Sequence, residues 1–132
     1  MGISNYATPL GYEGVAYFVN QVGVVYAHDL ATGKELFAER IDGACWASPL
    51  GTGKHVYFFG KDGTTTVLKA GKEFDKVASN NLWDAKPKPA GGEGTGEKGP
   101  APEYLDPIVY CVAAADGTFF IRTGTRLFRI GK

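Results

Sequence analysis

Few of the residues in this 132-residue chain are of types that do chemistry, and they lie scattered along it. His28 and His55 are the only imidazoles, and Cys45 and Cys111 the only thiols. A metal site gathers three or four His, Cys or carboxylate ligands, and neither cysteine has a second Cys or a His at ligand spacing. Cys45 and His55 are a conceivable nucleophile and base, but neither stands in a recognised catalytic sequence. Structural or surface roles are expected of His28 and His55, and packing is expected of the Cys45 and His55 pair. Both cysteines are expected as buried free thiols, since a free Cys behaves as a small hydrophobe, with a Cys45 to Cys111 bridge left open. Asp29, Asp62 and Asp116 fall at turn sequences, where a carboxylate that accepts from nearby amides explains them without catalysis. Gly94-x-Gly96-x-x-Gly99 has the letters of a dinucleotide fingerprint, yet the fingerprint needs a strand before it and a helix after it, and prolines flank it here. No Walker sequence follows either, because Glu97 separates Gly96 from Lys98. No catalytic residue, metal or cofactor is expected.

The segments that carry these residues repeat. Ala7-Thr8-Pro9-Leu10 returns as Ala47-Ser48-Pro49-Leu50, Tyr17-Phe18 as Tyr57-Phe58 and Gly23 as Gly63, each 40 positions later. Thr32-Gly33-Lys34-Glu35-Leu36 returns as Ala70-Gly71-Lys72-Glu73-Phe74 at an offset of 38. A weaker third copy sets Asp116-Gly117-Thr118-Phe119-Phe120-Ile121 against Glu13-Gly14-Val15-Ala16-Tyr17-Phe18, with Asp106-Pro107 for the Ser-Pro step. The copies are residues 6–43, 44–85 and 103–130. A period near forty is the mark of stacked units that cannot bury their apolar faces alone.

Within each copy, short apolar runs are separated by turn residues about every ten positions, the spacing of antiparallel strands. Val15-Ala16-Tyr17-Phe18-Val19 and His55-Val56-Tyr57-Phe58-Phe59 barely alternate, which predicts sheets covered on both faces. Asp29 is placed to accept from amides two and three residues on, and Gly33 to take the positive φ that closes the hairpin. Asp62-Gly63 and Asp116-Gly117 repeat that signal. Residues 86–102 are rich in Pro and Gly with no apolar anchor, and a flexible loop is expected there.

Fourteen basic residues balance fourteen acidic ones, so no overall field gathers nucleic acid or an anionic membrane surface. The 44% apolar fraction suits a folded chain, and nineteen Gly and seven Pro favour turns over helix. No run approaches the roughly 18 apolar residues of a membrane span, and the first residues have no export pattern. Location is therefore unassigned for the chain as given.

The stretch from Gly23 through Tyr26-Ala27-His28-Asp29 and Thr32-Gly33 to Phe37 resembles the pyrroloquinoline-quinone repeat, with Phe37 in place of its closing Trp. Ala27, Asp29, Thr32, Gly33 and Phe37 carry the motif in the first copy, and Gly63, Gly71 and Gly117 mark the later ones. The ending, from Asp106-Pro107 to Gly131, is similar to the C-terminal blade of the outer-membrane barrel-assembly lipoprotein family. The resemblance implies an all-β fold, a partial β-propeller of about three four-stranded antiparallel blades with the last incomplete. It also implies a bacterial, extracytoplasmic setting if the chain belongs to a longer member. Propellers use 4 to 8 blades, and a blade needs a neighbour on each face. Three blades thus predict either a segment of a longer propeller or a subunit that closes a ring with copies of itself.

The expected function is a non-catalytic scaffold that binds a protein partner or itself. The alternative is a module of a quinoprotein oxidoreductase whose catalytic blades lie elsewhere, since this chain has no adjacent cysteines and no recognisable calcium set. Trp46 and Trp83 are expected to pack between blades. Either one, if exposed, would form a contact patch with Arg40 or Lys86.

Overall fold

The computed structural model describes residues 6–83, 109, 111–124 and 126–131, and among these the chain forms eleven strands and no helix. The first sheet is β1 (Leu10–Tyr12), β2 (Val15–Val19), β3 (Val24–Asp29) and β4 (Glu35–Arg40), antiparallel and in chain order. The second repeats that order with β5 (Leu50–Thr52), β6 (His55–Phe59), β7 (Thr64–Lys69) and β8 (Lys76–Asn81). The third holds β9 (Cys111–Ala115), β10 (Thr118–Arg122) and β11 (Leu127–Gly131).

Local chemistry sets the hairpins. Glu13 and Gly14 have φ of 49° and 74°, Asp116 and Gly117 49° and 71°, so both turns are left-handed and match the twist of the strands they join. Asn20 Oδ1 accepts from the Val22 and Val24 amides at 3.1 and 2.9 Å and shapes the β2 to β3 turn. Register then repeats with the sequence. Leu10 pairs with Tyr17 and Leu50 with Tyr57, and the β-bulges fall at Ala27/His28 and Val67/Leu68, again forty residues apart.

The sheets stack as blades, with β1 beside β5 and β5 beside β9 at their innermost strands. Between the first two blades lies a core of Val15, Tyr17, Val25, Ala27, Ile41, Cys45, Val56, Phe58 and Leu68, flanked by Phe37 and Phe74. Between the second and third, Ala47, Phe59, Val109 and Ile121 are buried, with Tyr57, Trp83, Phe119 and Phe128 packed on them. Each fully buried Phe or Leu contributes about 1.5–3 kcal/mol over its exposed state, so the blade interfaces, not single sheets, hold the fold. The described residues form an all-β partial propeller of three blades, the third with three strands.

Two expectations need correction. Strand β2 does alternate: Val15, Tyr17 and Val19 are buried, while Ala16 and Phe18 are half-buried, because among the described residues only one face of the first sheet meets another sheet. Cys111 is exposed, on the face of the third blade that points away from the second.

Candidate functional site

Correspondence between blades identifies the faces that are open. By strand register, Ala16, Phe18, Tyr26 and His28 of the first blade correspond to Val56, Phe58, Thr66 and Leu68 of the second. The second set lies against the first blade and is no more than 1% exposed. The first set is on the outer face and is only half-buried. Here His28 stands where Leu68 stands one blade later. Its ring meets Phe18 edge-on at 5.5 Å, its Nε2 lies 3.8 Å from Glu35 Oε2, and its Nδ1 is buried without a hydrogen-bond partner. Arg40 is exposed on the same blade, opposite Val24 at the end of β4.

The third blade supplies the opposite face. Phe120 is half-buried between Ala113 and Arg129, and next to it Arg122 pairs with Cys111 and Leu127. Leu127 is 70% exposed. Strand β11 occupies the third place from the axis, and the fourth place, held by β4 and β8 in the other blades, has no strand among the described residues. Uncovered apolar faces are surfaces on which chains associate.

The repeat-motif residues sit in the turns and interfaces. Asp29 Oδ1 accepts from the amides of Ala31 and Thr32 and from the Thr32 hydroxyl, each at 3.1 Å, and Gly33 at φ 72° donates to the Asp29 carbonyl at 2.8 Å. Lys72 of the next blade donates to Asp29 Oδ2 at 2.8 Å. That ammonium, and then Thr32, hold the Asp29 carboxyl at about 2. Ala27 is fully buried, and Phe37 meets Phe74 edge-on at 5.6 Å. The Tyr17 hydroxyl accepts from the Gly71 amide at 2.9 Å and donates to the Gly71 carbonyl at 3.1 Å, which ties blade one to blade two. Gly63, at φ 90°, lies directly under Trp83.

The two tryptophans have different settings. Trp83 stacks on Phe128 at 5.9 Å, inside the interface of the second and third blades. Trp46 is half-buried between Tyr6, 5.2 Å away, and Lys61, whose Nζ lies 5.0 Å over the ring. The cation on Trp46 is thus Lys61, a contact that sequence spacing did not suggest. Lys86 and the 86–102 insertion lie outside the described residues.

The conceivable Cys45 and His55 pair is not assembled. Cys45 bridges Gly60, just past the far end of β6, whereas His55 begins that strand, so about 16 Å of extended chain separates them. Burial, with the Asp62 charge adding to it, pushes the Cys45 thiol up to about 12, and the sulfur stays neutral. Among the described residues, no three His, Cys, Asp or Glu gather around a point that could hold a metal. No helix among them is long and apolar enough to cross a membrane.

No family model matches the chain, and no curated protein sequence matches it. Among solved structures, BamB from Moraxella catarrhalis aligns with 89% of the chain at 10% identity and a TM-score of 0.38, and the chain spans 40% of that protein's length.

Proposed function

We propose that this chain is a non-catalytic propeller scaffold whose open blade faces bind protein, either further blades that complete a ring or other copies of the chain. One observation carries the reading: Phe18, Tyr26 and His28 are half-exposed at positions whose counterparts in the second blade are sealed by a neighbour. A further feature supports it: among the described residues the face around Phe120 is open in the complementary sense. A head-to-tail contact between the first blade of one copy and the third of another would reuse the geometry of the two internal interfaces. Two chains would bring six blades, within the range that closes.

Light scattering on the purified chain across a concentration series tests this. The expected result is a mass above that of one chain, falling on dilution. A folded, monodisperse monomer at micromolar concentration would contradict it.

A further inference from the structure

The two interfaces between blades are not filled alike. Tyr12 ends β1 and lays its ring on Gly51 of the next blade, so closely that a Cβ there would meet ring carbons at 2.5 Å. Its hydroxyl donates to the Gly53 carbonyl oxygen at 2.8 Å, in the β5 to β6 turn. One repeat later the same position is Thr52, which pairs with His55 across its turn as Tyr12 pairs with Val15. Threonine is too short to cover the following turn, Asp116-Gly117. A cleft of about 440 Å³ opens there, between the second and third blades.

We infer that this cleft is a binding site for an uncharged aromatic ring that carries a hydroxyl group, a phenol the size of a tyrosyl side chain. Such a ring lies on the same side of the cleft as Tyr12 does one interface earlier, set outward by the side chain of Ala114. The walls suit it: Tyr57 and Phe119, with ring centroids 4.8 Å apart and planes at 60°, offer the tilted surfaces that aromatic rings prefer to meet. The carbonyl of Asp116 corresponds by turn register to that of Gly53, the acceptor for Tyr12. Ala114 replaces Gly51 in the floor, and since a Cβ at Gly51 would meet the Tyr12 ring at 2.5 Å, the methyl of Ala114 holds a bound ring further out from the floor than Tyr12 lies. Thr52 and His55 belong to the lining, and among the described residues that line it Asp116 is the only carboxylate and there is no Lys or Arg. A ring bearing a carboxylate would meet that charge unpaired, and is disfavoured. The volume lies within the range of small-ligand sites. Neither ring completion nor the open outer faces enter this assignment.

Saturation-transfer difference NMR on the full chain tests it, because the method tolerates self-association. N-acetyltyrosinamide is the probe. N-acetylphenylalaninamide, which lacks the hydroxyl, should bind about 3- to 10-fold more weakly, the value of one net hydrogen bond. 4-Hydroxybenzoate should give no saturable signal. A Gly-Gly-Tyr-Gly-Gly peptide and p-cresol separate the two sources: a signal from the peptide points to a protein segment, and one from p-cresol alone points to a free phenol. Thr52→Tyr should lay its own ring into the cleft and abolish the signal, and Ala114→Leu should do so from the floor. Thr52→Ala should keep it. No saturable transfer to the parent chain, or equal transfer to a folded Thr52→Tyr or Ala114→Leu variant, would overturn the assignment.

Discussion

Phe18 and Phe58 hold the same place in consecutive blades, forty residues apart, yet among the described residues only Phe58 is covered by another sheet. The difference lies in the neighbour and not in the residue. Substituting the two should therefore separate assembly from folding. Phe18→Asp should shift the light-scattering mass toward a single chain while the circular dichroism spectrum stays that of the parent. Phe58→Ala should cost about 3–5 kcal/mol in urea unfolding, the usual loss for a buried Phe. A Phe18→Asp chain that associates like the parent would show that this face is not the contact.

Glycine positions divide by what lies above them. Gly33 and Gly63 both have positive φ, at 72° and 90°, but a Cβ at 33 meets open space and one at 63 meets the Trp83 ring at 2.7 Å. Gly33→Ala should cost about 1 kcal/mol from backbone strain. Gly63→Ala should cost a further ~1–3 kcal/mol from overpacking, measured by the denaturation midpoint, and Trp83→Ala in the same chain should remove that extra part.

Acid should loosen the contact between the first two blades in a defined window. The Asp29 carboxyl falls from its ordinary value of 3.8 to about 2 in the folded chain, chiefly through Lys72. A folded pKa below the unfolded one means stability that is complete above about pH 4 and is lost as pH falls toward 2. Asp42, lowered by Lys76 in the same direction, adds to the effect. Lys72→Met should flatten the decline of the thermal midpoint between pH 4 and 2. An unchanged slope would mean that the pair is too solvated to matter, as exposed ion pairs often are.

The two thiols should differ sharply in reactivity. Cys111 is exposed, whereas Cys45 is 1% exposed with its thiol pushed up to about 12. With the chain diluted below association, a disulfide reagent at pH 8 should modify one thiol per chain promptly and the second only as the fold opens, since the thiolate is the reacting form. Cys111→Ser should remove the fast phase alone. Two fast phases would place Cys45 outside the interface.

Much of the architecture is legible in the chain because its causes are local. The Glu13-Gly14 and Asp116-Gly117 turns, the Asp29 to Gly33 loop and the forty-residue return of Leu10 opposite Tyr17 each depend on residues within a hairpin or one repeat apart. Exposure was less legible. The apolar character of Phe18 predicts that something covers it, but an unbroken apolar run does not say whether the cover lies within the same polypeptide. Cys111 is exposed although a free cysteine behaves as a small hydrophobe, because its face of β9 has no further blade against it among the described residues. For the cleft the relevant signal was present as Tyr12 and Thr52 at equivalent positions, but its meaning required knowing that this side chain reaches across to the next blade.

Strand, turn and repeat follow from backbone preferences and hydrogen bonds that act over a few residues, so composition and order suffice to specify them. The covering of faces, the seat of Trp83 on Gly63, the Lys61 ammonium over Trp46 and the opening beside Thr52 arise where segments far apart in the chain pack together. Those contacts depend on the distance and tilt between blades. No short stretch of residues encodes them.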